Sequence, residues 1–165
     1  MAVAFVLVGS LIFLFGFVVW VGPPYLPTMR LQIKTALDML DLNPGETMLE
    51  LGSGDGRVAR AAAQRGIKVV GYEINPLLVL YSRIITWRYR NNVRIIWGNL
   101  WTKQWPDEAS AIYTFLLEKF MPKLDNKITQ TYNGKNIKLV SFAFSIPGKK
   151  AVQDKNGVLL YRYDT

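Results

Sequence analysis

The first charged side chain is Arg30, and everything before it is uncharged apart from the α-amino group. Residues 2–21 read AVAFVLVGSLIFLFGFVVWV, with fourteen Val, Leu, Ile or Phe and one polar side chain, Ser10. Twenty helical residues rise about 30 Å, the thickness of a bilayer core. The run is apolar all round, without the polar stripe of a helix at a protein surface. It lacks the basic n-region and small-residue cleavage site of a signal peptide, and it is longer than most buried core helices. A membrane span over 1–22 is the expectation. Trp20 and Tyr25 suit the interfacial belt, and Pro23-Pro24 ends the helix. Arg30 and Lys34 follow closely, which by the positive-inside rule places the rest of the chain in the cytoplasm, or in the matrix for a mitochondrial membrane.

After a pre-domain segment, 23–30, one domain over 31–165 is expected. Apolar residues at Ile33, Ala36, Leu37 and Leu40 predict a helix over 32–42, broken by Asn43-Pro44-Gly45. Strands are predicted over 47–51, 68–72, 93–97, 111–116, 137–144 and 158–163. Helices are predicted over 58–64, from Pro76 towards Trp87, and over 117–131. Alternating strand and helix argue a Rossmann-like α/β fold, a mainly parallel sheet flanked by helices.

Composition narrows the chemistry. The 165 residues include 20 Lys+Arg against 12 Asp+Glu, a net +8, and neither His nor Cys. Thiol nucleophiles, disulfides, Cys-ligated metal and imidazole bases within this chain are excluded, and no metal is expected.

MLELGSGDGR at 48–57 directly follows a strand and opens a helix. Gly52, Gly54 and Gly56 permit a tight turn and close backbone approach to a ligand. A dinucleotide site needs its third glycine where Arg57 stands. The pattern here is acidic-x-G-x-G-x-G, with Glu50 at the strand end, and it suits S-adenosylmethionine. Glu73 ends the next strand, 21 residues after Gly52, where a carboxylate accepts both ribose hydroxyls. At the third strand's end, the Asn99 side-chain carbonyl is placed to accept from the adenine amino group, with Leu100 or Trp101 walling the ring. Cofactor contacts are thus expected at Glu50, Gly52, Ser53, Gly54, Asp55, Gly56, Glu73, Ile74, Asn75, Asn99, Leu100 and Trp101.

These marks resemble the class I (seven-strand) S-adenosylmethionine-dependent methyltransferases. The closer resemblance is to the membrane-anchored lysine methyltransferases of the adenine nucleotide translocase and the ATP synthase c-subunit, and to their small prokaryotic relatives. It rests on PYLPT at 24–28, ELGSGDGRV at 50–58, GYEINP at 71–76, YSRIITW at 81–87 and GNLW at 98–101. MPKL at 121–124, SFAFSIP at 141–147 and the closing LLYRYD extend it, and a hydrophobic span before the domain belongs to that family's plan. The resemblance implies methyl transfer to a lysine amine of a membrane protein, with Tyr25 and Thr28 of the PYLPT segment on the substrate side. The membrane bilayer is the second implied partner.

Three departures stand out. Asn99 replaces the Asp that usually precedes Leu-Trp, keeping an acceptor but losing a charge. The fourth strand's end, TFLLEKF, lacks the proline common there. Only one clear strand follows 141–146, so a truncated last hairpin is expected. Two other readings stay open: a methyltransferase on a small or lipid-like substrate or on RNA, and a non-catalytic membrane-attached binding module. Net charge +8 suits nucleic acid, but basic residues beside a span also suit anionic lipid, and no N-P-P-Y motif for base amines is present.

Overall fold

A computed structural model describes residues 27–164 together with Phe5 and Gly9. The expected span over 1–22, those two positions aside, and Tyr25 lie outside the described residues. Among the described residues no helix is long and apolar enough to cross a membrane.

The domain begins with α1 (Arg30–Leu40), which buries Ile33, Ala36, Leu37 and Leu40 and ends in the left-handed conformation at Asp41. Then follow β1 (Thr47–Leu51), α2 (Arg57–Gln64), β2 (Lys68–Glu73) and α3 (Pro76–Ile85). A 3-10 turn at Trp87–Tyr89 leads into β3 (Val93–Trp97) and β4 (Ala109–Thr114). A second 3-10 turn at Glu118–Phe120 precedes α4 (Met121–Thr131), and β5 (Ile137–Phe142), β6 (Gln153–Lys155) and β7 (Val158–Tyr163) close the chain. The predicted fourth strand was set two residues too late at both ends, the fifth ran two residues too far, and the helix predicted over 117–131 opens as the 3-10 turn.

The seven strands form one sheet in the order β3-β2-β1-β4-β5-β7-β6. Strands β1 to β5 are parallel, while β7 runs antiparallel to both β5 and β6. The expected Rossmann-like architecture is therefore present. The expected truncation is not: Gln153–Lys155 supplies the missing strand of the last hairpin. Its turn is Asn156-Gly157, both at positive φ, with Lys155 paired to Val158 across a two-residue loop. An Asn-Gly dipeptide is the strongest short hairpin signal. The strand escaped prediction because its three side chains, Gln, Asp and Lys, are all exposed and show no apolar alternation.

Helices α1, α2 and α3 cover one face, against Met48, Val69, Ile95, Ala111 and Val140. Helix α4 covers the other, where Leu124 and Ile128 meet Leu49, Leu51, Ile112 and Leu139. The alanines of α2 let it sit close on the sheet, with Ala59 and Ala62 fully buried. Its N-cap, Gly56, is at φ 79°, and a Cβ there would lie 2.7 Å from the Ser82 Cβ of α3. Strand order reverses between β1 and β4, and in such sheets ligands bind at the carboxyl ends around that switch point.

Candidate functional site

The carboxyl ends of β1 to β4 surround a cavity of about 190 Å³. Every expected cofactor residue except Gly56 lines it, as does Thr28. Gly56 is instead the helix cap beneath the loop, taking its place from the close contact with α3.

Glu73 is the best-seated group. As the last residue of β2 it is buried, and its two oxygens are held separately: Gly54 N–H donates to Oε2 at 2.8 Å and Asn75 N–H to Oε1 at 2.8 Å. Ionised carboxylate oxygens retain further acceptor sites after such bonds. The carboxylate is thus oriented between the glycine loop and the start of α3, with lone pairs left for a ligand's hydroxyls. Asn75 has a second task, because its Oδ1 caps α3 by accepting from Leu77 N–H (3.0 Å) and Leu78 N–H (3.4 Å). Ile74 contributes its carbonyl, which accepts from the Trp97 indole N–H at 3.0 Å.

Glu50 differs. The parallel register sets it between Gly71 of β2 and Tyr113 of β4, on one face of the sheet. It is 1% exposed, and its Oε2 has no hydrogen-bond partner among the described residues; the buried Ser53 Oγ has none either. Burial, reinforced by the negative charges of Glu73 and Asp55, pushes the Glu50 carboxyl up to about 8, with the nearby Ser53 hydroxyl acting against the rise. Gly71 makes room for this arrangement, since a Cβ there would collide with Ser53 Oγ. A buried carboxyl oxygen without a partner is costly, and these two polar atoms lining a cavity mark where a polar ligand group belongs.

Asp55 accepts from Arg57 through both oxygens, from Nε at 3.0 and 2.8 Å and from Nη2 at 2.6 Å. The Arg57 Nη1 donates to the Thr28 carbonyl at 3.1 Å. Asp55 therefore lines the cavity as half of a clamp that ties the entry segment to the loop.

Thr28 is buried, and its Oγ1 shares a 2.9 Å hydrogen bond with the Tyr113 hydroxyl. Burial is the main reason the Tyr113 phenol is shifted far up, with the Thr28 hydrogen bond opposing and the Glu50 charge assisting. At neutral pH this pair is two neutral hydroxyls. Tyr113, Phe115 and Phe120 all line the cavity, and sequence reasoning missed them. Their position at and just after the β4 end, beside the switch point, was the available signal.

On the third-strand side, Asn99 is exposed and its Oδ1 accepts from Trp101 N–H at 2.9 Å. Its carbonyl is already committed to that turn, with one lone pair left for the expected adenine contact. Trp101 packs on Phe120 with ring centroids 5.9 Å apart. The Lys127 ammonium pins the same turn by donating to the Trp101 carbonyl at 2.7 Å.

Residues 50–153 match the family described as the ANTKMT methyltransferase domain. The ATP synthase c-subunit lysine N-methyltransferase of Xenopus laevis is 35% identical over 126 residues, which cover 75% of this chain and 54% of the relative. The adenine nucleotide translocase lysine N-methyltransferase of Mus musculus is 32% identical over 127 residues, covering 75% and 54%. The chain spans about half the length of the curated relatives it matches. Among solved structures, an RNA methyltransferase from Salinibacter ruber in complex with S-adenosyl-L-homocysteine superposes with a TM-score of 0.73 at 26% identity, covering 84% of this chain and 92% of that one. The glycine loop, GYEINP and GNLW all fall inside the family match.

Proposed function

The chain belongs to the ANTKMT methyltransferase family, and from that premise we propose that it is a membrane-anchored, S-adenosylmethionine-dependent protein-lysine N-methyltransferase acting on a membrane protein. The observation that carries the reading is Glu73, buried at the end of β2 and aimed by two backbone N–H groups beside the glycine loop. A carboxylate so held is built to accept a vicinal pair of ribose hydroxyls. The orphaned Glu50 Oε2 and Ser53 Oγ supply polar partners for a ligand carrying an ammonium group. The residues present therefore fit the cofactor.

When bound, S-adenosylmethionine supplies an electrophilic methyl group on a sulfonium centre. Glu73 would hold the ribose, the Gly52 to Gly54 backbone and Glu50 the amino-acid end, and Leu100 with Trp101 the adenine. The acceptor lysine must arrive unprotonated, which at pH 7 costs about 4.6 kcal/mol from a free pKa near 10.4. Phe115, Phe120, Tyr113 and Thr28 make the acceptor side apolar or neutral, and desolvation there disfavours ammonium. The Thr28–Tyr113 hydroxyl pair orients the incoming amine rather than taking its proton, because a phenol shifted upward is no base at neutral pH. The remaining contribution is alignment of the reacting atoms.

Anchoring by the 1–22 run, with the domain on the cytoplasmic or matrix side, completes the reading. It is supported by the hydropathy of that run and by the membrane-protein substrates in the names of the two lysine methyltransferase relatives. The Salinibacter neighbour favours an RNA acceptor as the second reading. Transfer of tritium from labelled cofactor into membranes, followed by separation of protein, lipid and RNA, tests both. Label on lysines of a membrane protein is expected; label confined to RNA or lipid overturns the lysine reading, and no transfer overturns the enzyme.

A further inference from the structure

Helix α3 is folded inside out. It reads PLLVLYSRII, and its buried positions are Val79 and the fully buried Ser82. Ser82 Oγ donates back to the Val79 carbonyl at 2.9 Å, and just beyond the helix Thr86 Oγ1 donates to the Ser82 carbonyl at 2.7 Å. The large apolar side chains face outward instead: Leu77, Leu80, Tyr81 and Ile84, with Ile84 63% exposed. Trp87 (66%) extends this face past the helix end, and Trp97 (62%) stands at the end of the edge strand β3. The reason lies in the contact with Gly56, where α2 approaches so closely that only a small residue fits at position 82. Contiguous exposed apolar surface of this kind marks an interaction site.

Within the stretch of chain that carries it, the charged side chains are of one sign. Between Glu73 and Asp107 the chain has no acidic residue, but it has Arg83, Arg88, Arg90, Arg94 and Lys103. Among the described residues none of these five forms an ion pair. Arg83 donates to the Ile95 carbonyl, and the Arg90 guanidinium lies 5.2 Å from the Trp87 ring centre. Leu, Ile, Tyr and Trp with a rim of arginines outside any ion pair is the composition of a helix lying in the headgroup region of an anionic bilayer. A protein partner or a second copy would need acidic groups to meet these arginines, and this chain's own patch offers none.

We propose that the outward face of α3, with Trp87 and Trp97, is a second membrane contact that lies in the interface of an anionic lipid bilayer. The patch borders the cavity rim, since Ile74, Asn75, Leu78 and Gly98 line the cavity and Trp97 bonds the Ile74 carbonyl. Contact there would hold the domain against the membrane with a fixed face, where a tether alone leaves it free to turn. The inference rests on the anchored reading only for delivery of the chain to a bilayer.

Because the chain has no cysteine, single labels are clean. The full chain carrying Ile84→Cys, or Asn133→Cys on an exposed turn elsewhere, is labelled with an environment-sensitive fluorophore. It is then reconstituted into vesicles of phosphatidylcholine alone or with phosphatidylglycerol, with brominated acyl chains as quencher. Flotation is scored separately. The expected result is quenching at position 84 in the anionic vesicles, little in the neutral ones, and none at position 133. Neutralising Arg88 and Arg90 as Gln should lower the inserted fraction about fivefold per charge. Flotation with an aqueous label at 84 overturns this inference and leaves the anchor intact. Equal quenching in both vesicles removes the anionic headgroups from the contact, and shielding of 84 without lipid assigns the face to the leader or a second copy; either result overturns it. Shielding produced by RNA in place of vesicles overturns it as well, and failure to float overturns the anchor along with it.

Discussion

Glu73 and Glu50 sit on neighbouring parallel strands of the same sheet and line the same cavity, and both are buried. Their surroundings are opposite. Each Glu73 oxygen receives a backbone N–H at 2.8 Å. Glu50 has an oxygen with no partner among the described residues and a carboxyl pushed up to about 8 by burial. The difference follows from the local chain. Beyond Glu73 the backbone turns at once into a capped helix whose Asn75 N–H points back at one oxygen, and the Gly54 N–H reaches the other from the adjacent glycine loop. Glu50 is one residue short of the strand end, so its backbone neighbours are spent on the sheet ladder. One half of the cavity is pre-organised, and the other is held in a state that a cationic ligand would relieve.

The sharpest way to break this comparison is Glu73→Ala. It removes a ligand acceptor and leaves the Gly54 and Asn75 N–H groups without their partner. A loss of roughly 2 to 4 kcal/mol in cofactor affinity is expected, about 30- to 1000-fold. Calorimetry with S-adenosylhomocysteine checks it, and unchanged affinity would remove Glu73 from the site.

Glu50→Gln tests the other half through pH. The Glu50 carboxyl holds its proton more tightly in the folded chain than its ordinary value of 4.5 allows, up to about 8. Its contribution to stability is therefore fully present below about 4.5 and is lost as pH rises through 8. Ligand-free wild type should lose stability on the order of 2 kcal/mol between pH 5 and 8, since water entry relaxes part of the burial cost. The glutamine variant, which cannot ionise, should keep a flat melting profile over that range. Cofactor binding should tighten with pH up to about 8 in wild type only. The ligand's own amino group titrates nearby, so the variant's profile is the reference. Parallel profiles for the two proteins would show that Glu50 does not titrate as described.

Both carboxylates were legible in the sequence. The strand 47–51 and the loop after it were readable because apolar runs and glycine spacing are local signals. Glu73 was readable because 21 residues fix its place on the adjacent strand. What those signals could not show was the hydrogen bonding: Asp55 is paired to Arg57, and the Asn99 carbonyl is folded into its own turn. The acceptor side was opaque for another reason. Thr28 and Tyr113 lie 85 positions apart and meet only because the segment before α1, which packs on β5 and β7, crosses the end of β4. TFLLEKF reads as ordinary strand-to-helix sequence until the sheet order turns Phe115 towards the cavity. Helix α3 misleads in the opposite direction, since an apolar stretch with one serine suggests that the serine faces out.

Asp55→Ala should have a smaller effect than either glutamate. The pair with Arg57 is partly open, with side-chain exposures of 14% and 40%, and solvent screens it. About 1 kcal/mol of cofactor affinity should go, together with a looser entry segment, because Arg57 also holds the Thr28 carbonyl. Protease sensitivity near 27–29 that equals wild type would show that the clamp does not hold that segment.

The smallest expected change is also the most specific. Tyr113→Phe keeps the ring and deletes only the hydroxyl that meets Thr28 Oγ1. A neutral buried hydrogen bond contributes about 1 kcal/mol, so the melting temperature should move by a few degrees at most. Cofactor affinity should not move, because Glu73 and the glycine loop are untouched. Turnover should fall, as the proposed role of the pair in orienting the acceptor amine requires. Thr28→Val deletes the other hydroxyl at nearly constant volume, and the double variant should be no slower than the worse single one. Residues acting as one unit are non-additive in this way. If the two losses multiply, each hydroxyl acts alone, and the acceptor side is organised by the aromatic rings of Phe115 and Phe120 without the hydroxyl pair.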